Sequence, residues 1–224
     1  AVDTIPGLLQ LLENTNENNL DAEISILKNW DGRMSTDSVG ASLFEVFFAN
    51  WTKEVAAARF PANLVPLMAG AASGLSTQLI TEDPYDWFSP GERAKAAHRA
   101  MEKTIDDLYK DAGQDKSKWN WGAIHKVHLH HPLSELGQIF NRLSRGGQGV
   151  GGSGITVSNT GFDPNYLAVM GANYRLVADL SDDPPGLWAV DAAGQSGNPG
   201  SVNYCDQLDS WMQNSQHFIP LDRK

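Results

Sequence analysis

Four histidines lie close together in the second half of the chain and are the first residues to suggest chemistry. His125, His128, His130 and His131 fall within seven residues. On a β-strand, His128 and His130 would project from the same face, which suits two metal ligands. A hydrolytic zinc site needs a third ligand, and the nearest carboxylate is Glu135. The alternative is a set of structural histidines, hydrogen-bonded within a sheet beside a loop.

Two further motifs resemble functional loops but lack a required residue. The glycine-rich stretch 146–154 could cradle a phosphate, yet it has no lysine and leads into residues 155–157, which predict a strand. Residues 194–197, Gly-Gln-Ser-Gly, suggest a serine nucleophile, but Asn198 stands where a nucleophile elbow has its last glycine. We therefore expect a mobile or closely packed glycine loop, and a turn in which the Ser196 hydroxyl bonds to the backbone.

The paired carboxylates and the one cysteine carry less information. Asp106-Asp107 lie in a predicted helix, where we expect them to be solvated, and Asp182-Asp183 lie in a predicted turn before two prolines. Neither pair shows the separation and contrasting environments of glycosidase acids. Cys205 is the single cysteine, which excludes an internal disulfide and a multi-cysteine zinc site, and we expect a buried, inert thiol.

The composition sets limits on the class of protein. The 224 residues include 17 Lys+Arg and 27 Asp+Glu, for a net charge of −10. This balance argues against nucleic acid and anionic membrane surfaces, both of which attract basic proteins. Hydrophobic residues make up 41% and charged residues 20%, which are globular values. No stretch approaches the roughly 18 consecutive apolar residues of a membrane span, and one domain is the default for this length.

The first half of the chain predicts helices. Apolar residues recur at helical spacing over residues 2–12, from Asp21 to Gly32, and from 39 to 55 behind Asp37-Ser38. Gly40 would let another backbone come close to the third of these helices. Residues 64–68 and 75–80 predict single helical turns. Ser89-Pro90-Gly91-Glu92 predicts a helix start with Ser89 as the cap, and this helix should run to about Ala112.

The second half of the chain predicts strands. After Gly113, short β-prone runs occur between Trp119 and Leu129, and residues 155–158, 174–180 and 187–190 also predict strands, followed by a helix over 206–212. The chain thus predicts an α+β fold, with residues 1–112 mainly helical and residues 113–224 strand-rich.

Five segments in this order resemble the penicillin acylase family of N-terminal nucleophile amidohydrolases. The first is Trp-Asp-Gly with the helix after it, the second combines Trp-x-Trp-Gly-x-x-His with His-Pro-Leu, and the fifth contains Gly-Gln-Ser-Gly-Asn-Pro-Gly. The third departs from the family at Ser153, where an aspartate is usual. The segments are residues 27–44, 119–133, 151–157, 171–180 and 194–201, the last with Tyr204, Asp206, Gln207 and Trp211 beyond it.

The resemblance implies that residues 1–224 are the C-terminal segment of the family's β subunit and part of an αββα sandwich. Members are cut from a precursor, and the nucleophile is the serine that begins the β subunit, with its own α-amino group as base. Ala1 has no hydroxyl. No residue here matches the nucleophile, the oxyanion-hole asparagine or the calcium ligands, so no catalytic or metal-binding residue is assigned, no cofactor is expected in this chain, and the substrate-binding residues stay open.

The function implied by the resemblance is hydrolysis of an acyl amide through an acyl-enzyme, with the nucleophilic serine on a partner chain. Substrates in the family include penicillins and N-acyl homoserine lactones, and members are periplasmic or secreted. The partners would be the remaining chain or chains of the same precursor, or else the chain is truncated. The aromatic-rich region from Leu75 to Phe88 would form part of an acyl pocket. Two alternatives stay open: an acylase-like binding or structural chain without catalysis, and a metal hydrolase with histidine ligands.

Overall fold

The computed structural model describes residues 3–13, 20–181 and 185–220, and the chain divides into two compact units, residues 1–123 and 124–224. Helices dominate the first unit and strands the second, so the predicted α+β class is confirmed. Residues 14–19 and the carboxylate pair Asp182-Asp183 lie outside the described residues. No helix in the described ranges is long and apolar enough to cross a membrane.

The first unit is built from helices α1 to α6. Their bounds are α1 Ile5–Glu13, α2 Asp21–Asn29, α3 Val39–Ala57, α4 Val65–Ala71, α5 Ser73–Thr81 and α6 Glu92–Ala112, followed by a 3-10 turn at Lys116–Lys118 and the short α7 Trp121–Ile124. Helix α3 packs along α6 and carries the core of the unit. Its Trp51 is fully buried, stacks on Phe88 with ring centroids 5.5 Å apart, and donates from Nε1 to the Ser76 carbonyl at 2.8 Å.

The Trp-Asp-Gly segment ends α2 and supports the start of α3. Trp30 lies just outside α2, its Nε1 donates to the Arg33 carbonyl at 3.0 Å, and Gly32 has a φ of 75°. A Cβ at Gly40 would lie 2.4 Å from Trp30 Cγ, so glycine is required there. The close approach predicted at Gly40 is therefore made by an indole ring and not by another backbone, and α2 ends before the predicted Gly32.

Two other helix predictions need correction. Helix α6 begins at Glu92 with Gly91 as its N-cap, at a φ of 78°, and the predicted Ser89 cap is wrong. Because glycine adopts the left-handed conformation without strain, the chain turns into the helix two residues later than the serine-proline pattern indicates. The two predicted single turns are both longer helices, α4 and α5.

The second unit contains two sheets. Strands β1 Lys126–Leu129, β2 Arg145–Gly149, β3 Thr160–Phe162 and β4 Ala168–Gly171 form a sheet in the order β2-β1-β4-β3, and β5 Tyr174–Asp179, β6 Gly186–Asp191 and β7 His217–Pro220 form an antiparallel sheet in that order. Two 3-10 helices, Pro132–Leu136 and Gln138–Leu143, separate β1 from β2, and α8 Leu208–Met212 precedes β7. A buried cluster joins them: Val127, Val150, Ala168, Val190, Leu208 and Trp211.

The glycine-rich stretch was expected to be a loop, but its first part is strand β2. This strand pairs antiparallel with β1, and a Cβ at Gly146 would lie 2.1 Å from the Val127 carbonyl oxygen. Glycine therefore allows the strand to approach its neighbour closely.

Residues 155–158 were predicted as a strand and form turns and bends instead. The reason is the Thr156 hydroxyl, which accepts from the Ser153 amide at 2.9 Å and donates to the Ser158 carbonyl at 2.8 Å. Such local bonds from a side chain to the backbone compete with a ladder of interstrand bonds. The apolar side chains at 155 and 157 are left exposed.

The β5-β6-β7 sheet has exposed apolar side chains on both faces. Val177, Trp188 and Phe218 are directly opposite one another on one face, each more than 40% exposed. Leu176 and Ile219 lie on the other face and are 52% and 45% exposed.

Candidate functional site

The four histidines have separate structural positions. His125 is fully buried, its Nδ1 lies 2.8 Å from the Tyr166 carbonyl oxygen, and its Nε2 lies 3.1 Å from Thr160 Oγ1. Because a carbonyl can only accept, Nδ1 carries the proton. Burial lowers the pKa of His125 to about 4, although the Tyr166 carbonyl acts in the opposite direction. Both ring nitrogens therefore have hydrogen-bond partners, and these bonds connect the residue directly before β1 to residues 160–166.

His128 and His130 lie near each other, as the strand pattern predicts, but they form no metal site. Their ring centroids are 5.8 Å apart, and Glu135 Oε1 lies 4.0 Å from His130 Nε2. Ser134 Oγ lies 3.1 Å from the same nitrogen. In the described part of the chain, no three His, Cys, Asp or Glu side chains group as metal ligands. The metal-hydrolase alternative therefore has no ligand set there.

His131 caps the 3-10 helix that follows it. Its Nδ1 accepts from the Leu133 amide at 3.1 Å, and its own amide donates to Ser144 Oγ at 3.1 Å. Since a backbone amide can only donate, the neutral ring carries its proton on Nε2. His131 thus offers an Nε2–H donor with a fixed tautomer.

A cavity in the second unit brings together two of the motif segments. Its volume is about 550 Å³, and it is lined by residues 129–132, residues 193–197, Arg145 and Tyr204. The His-Pro-Leu and Gly-Gln-Ser-Gly motifs, more than sixty residues apart in sequence, thus lie on one cavity. This cavity is the candidate functional site of the described chain.

Arg145 is held rigidly at this cavity. Its Nη1 donates to the carbonyl oxygens of Arg142, Leu143 and Ser144 at 2.7, 3.2 and 3.0 Å. The guanidinium carbon lies 4.9 Å from the centroid of the Tyr204 ring, a cation–π distance, and the Tyr204 hydroxyl donates to the Leu143 carbonyl at 2.8 Å. Sequence reasoning missed Arg145, although a cation directly before a glycine run was a usable signal.

Ser196 occupies a turn. Its Oγ accepts from the Asn198 amide at 3.1 Å, and its amide donates to the Asn203 carbonyl at 3.0 Å. The predicted bond between its hydroxyl and the backbone is therefore present. A serine nucleophile needs a general base within hydrogen-bond reach, and no imidazole bonds to Ser196 in the described chain.

The remaining predicted residues lie elsewhere. Cys205 is a free, partly buried thiol beside a second cavity that His128 and Asp209 also line. Asp106 is exposed, but Asp107 accepts from Asn50 Nδ2 at 3.0 Å and pairs with Lys103, so the prediction of a solvated pair is wrong for Asp107. The Asp107 carboxylate thus contacts Asn50 of α3 and Lys103 of α6.

The region predicted to form an acyl pocket contains the C-terminal part of α5 and the loop before α6. A cavity of about 450 Å³ borders it, and its lining includes Arg59, Asp83, Arg93 and the buried Phe88. Asp83 accepts from the Trp87 and Phe88 amides at 2.8 and 2.9 Å. Four of the eight lining residues are charged, and the role of this region in an acyl pocket stays a prediction.

Comparison with known proteins assigns the family. The sequence profile described as penicillin amidase matches residues 1–224. The chain belongs to the penicillin amidase family. It is 27% identical to the acyl-homoserine lactone acylase QuiP of Pseudomonas syringae pv. syringae, over 100% of this chain and 28% of that relative. It is 28% identical to QuiP of Pseudomonas putida, over 88% of this chain and 26% of the relative.

One further sequence relative and one solved structure are also similar to this chain. The penicillin acylase 2 proenzyme of Pseudomonas sp. strain SE83 is 27% identical over 81% of this chain and 24% of that relative. A thermostable penicillin G acylase from Alcaligenes faecalis has a similar fold, with a TM-score of 0.55 and 14% identity over 97% of this chain and 42% of that chain. The chain therefore spans about a quarter of the length of its sequence relatives.

Proposed function

We propose that this chain is part of an amidohydrolase that cleaves an acyl group from an amine, and that residues 1–224 form the C-terminal segment of its β subunit. The observation that carries the proposal is the family match over all 224 residues, combined with coverage of only 28% of a relative named as an acylase. Substrate and partner are inferred from the relatives and from the resemblance described above.

The proposed mechanism is nucleophilic acyl transfer. A serine hydroxyl on a partner chain of the same precursor attacks the amide carbonyl, and its proton passes by way of the α-amino group to the departing amine. Water then attacks the ester of the acyl-enzyme and releases the carboxylic acid and the serine. An oxyanion hole outside this chain stabilises each tetrahedral intermediate.

The role proposed for this chain is to complete the packing around that site. In this role the Trp-Asp-Gly motif is structural, because its Trp30 ring packs against Gly40. The Trp-x-Trp-Gly-x-x-His motif is structural as well, because its His125 is buried and hydrogen-bonded. The exposed apolar faces of the β5-β6-β7 sheet offer surface that a partner chain would cover. No cofactor is proposed within this chain, calcium would bind outside it, and a periplasmic or secreted location follows from the resemblance.

The proposed substrates are N-acyl homoserine lactones and penicillins. Relatives named as acyl-homoserine lactone acylases match up to 100% of this chain, and one relative is named as a penicillin acylase. Both substrate types carry an amide between an acyl group and an amine, so the same reaction serves both.

The test is to purify the protein with every chain that accompanies it, and then to determine intact masses and N-terminal sequences. We expect a second chain that begins with serine, and amine release from N-hexanoyl homoserine lactone or benzylpenicillin. Replacing that serine by alanine should abolish release. A serine-initiated partner without amide cleavage would instead favour the binding or structural alternative, and activity abolished by a chelator would favour the metal hydrolase.

A further inference from the structure

Arg145 lines the cavity formed by residues 129–132 and 193–197, and one side of its guanidinium group is unpaired among the described residues. Its Nη1 is occupied by three backbone carbonyls, whereas Nε and Nη2 have no hydrogen-bond or ion-pair partner among the described residues. The edge formed by Nε and Nη2 is the one that binds a carboxylate side-on through two parallel bonds. The carbonyls and the Tyr204 ring hold this edge in place before any ligand arrives.

Other donors lie on the same cavity. The Nε2–H of His131 is set by the Leu133 amide, and the Ser196 hydroxyl keeps its proton to donate because its oxygen accepts from Asn198. Both residues line the cavity with Arg145. The described lining thus combines one permanent cation with two further hydrogen-bond donors.

Carboxylates of the protein itself lie at the margins of this cavity, including that of Asp206 beside the lining residue Gly194. None belongs to its described lining. Glu135 is close to His130, and Asp191 accepts from Gln195 Nε2 at 3.0 Å. Asp209 lines a neighbouring cavity that Arg145 also borders, but no ion pair within 4.0 Å joins the two in the described chain. Within the described chain, Arg145 thus has no carboxylate partner.

We propose that this cavity is a binding site for a small organic carboxylate, held side-on by the Nε–Nη2 edge of Arg145 and by the His131 Nε2–H. Such a site would be a function in addition to amide hydrolysis. Two sources share this chemistry: the carboxylate of a released acyl group, and a carboxylate on the amine side, as in penicillins. N-acyl homoserine lactones carry no carboxylate.

The test is calorimetric or NMR titration of the purified protein, with its accompanying chains, using hexanoate and its neutral analogue hexanamide. We expect hexanoate or 6-aminopenicillanate to bind at least tenfold more tightly than hexanamide, because only the anion makes charge-assisted bonds. Preference for hexanoate identifies the acyl side as the source, and preference for 6-aminopenicillanate identifies the amine side. Equal binding of both carboxylates and hexanamide, or no binding, overturns the proposal.

Variants locate the site. Arg145→Gln should weaken carboxylate binding about tenfold or more. The affinity of Arg145→Lys should fall between those of the wild type and Arg145→Gln, because lysine keeps the positive charge but not the two parallel N–H donors. Lys126→Gln, which removes an exposed cation of β1 outside the lining, is the matched control and should leave binding unchanged.

A second variant covers the case in which loss of the Arg145 bonds to the backbone unfolds the protein. His131→Asn keeps an acceptor for the Leu133 amide and removes the Nε2–H donor, so the cap is preserved. It should weaken binding several-fold. Wild-type affinity in His131→Asn together with wild-type affinity in Arg145→Lys would overturn the proposal. Because binding is measured without turnover, amide hydrolysis with no carboxylate binding would refute this site and leave the proposed function standing.

Discussion

His125 shows at the scale of one residue how burial determines protonation. The unfolded ring has the ordinary pKa of 6.5, whereas burial lowers the folded pKa to about 4. As the pH falls, the unfolded chain therefore takes up a proton before the folded protein does. The stability that depends on neutral His125 is complete above pH 6.5, declines as the pH falls towards 4, and changes no further below that pH.

We expect the free energy of unfolding to fall by about 2 kcal/mol from this group between pH 6.5 and 5, at 1.36 kcal/mol per pH unit. Urea denaturation at several pH values in this range measures the effect. His125→Gln cannot titrate, so it should be less stable than the wild type at pH 7 but should show a flatter pH dependence. An equally steep decline in the variant would assign the acid sensitivity to other groups.

Asp106 and Asp107 are adjacent in sequence and differ in environment. Burial raises the pKa of Asp107, but hydrogen bonds from Lys103 and Asn50 outweigh it and hold the pKa below its ordinary value of 3.8. Removing this carboxylate leaves the Asn50 amide short of an acceptor. We expect Asp107→Ala to reduce the free energy of unfolding by about 1–2 kcal/mol. Asp106→Ala, the control, should change it by less than about 0.5 kcal/mol, and similar losses in both variants would show that the bridge between α3 and α6 contributes little.

Two serines that look alike as helix caps behave differently at the scale of the element. Ser38 Oγ accepts from the Ala41 amide at 3.1 Å at the start of α3, whereas α6 begins at Glu92 without a side-chain cap. We expect Ser38→Ala to cost about 1 kcal/mol of stability, the usual effect of losing an N-cap, and Ser89→Ala to cost close to none. Thermal unfolding of the two variants measures the difference. A loss of stability in Ser89→Ala as large as that in Ser38→Ala would show that Ser89 does cap α6, as the sequence pattern indicates.

At the scale of the whole molecule, patterns that depend on neighbours in sequence were predictable. The helical spacing of Val39 to Val55 gave α3, and the alternation over residues 174–180 gave β5. Interactions between distant segments were not predictable. Strand β2 has almost no β-prone side chains, and it forms because its backbone pairs with that of β1. Residues 155–158 have β-prone side chains but form local bonds instead.

The candidate site likewise combines local motifs, which were predictable, with contacts between distant segments, which were not. Its two motifs were recognised from the sequence, but their meeting on one cavity depends on the fold of the second unit. The position of Arg145 depends on carbonyls that converge only when the 3-10 helix before β2 has formed. The sequence shows which hydrogen bonds a side chain is able to make, but it does not show which residues become its hydrogen-bond partners in the fold.

The β5-β6-β7 sheet, apolar on both faces, has a consequence for how the chain behaves in solution. Molecules of net charge −10 repel one another, and this repulsion opposes contact between such sheets at low ionic strength. At about 0.15 M salt, charges are screened beyond roughly 8 Å, and the apolar faces and open sheet edges can then meet. This chain, on its own, is thus more inclined to precipitate in buffers that imitate physiological salt than in buffers of low ionic strength.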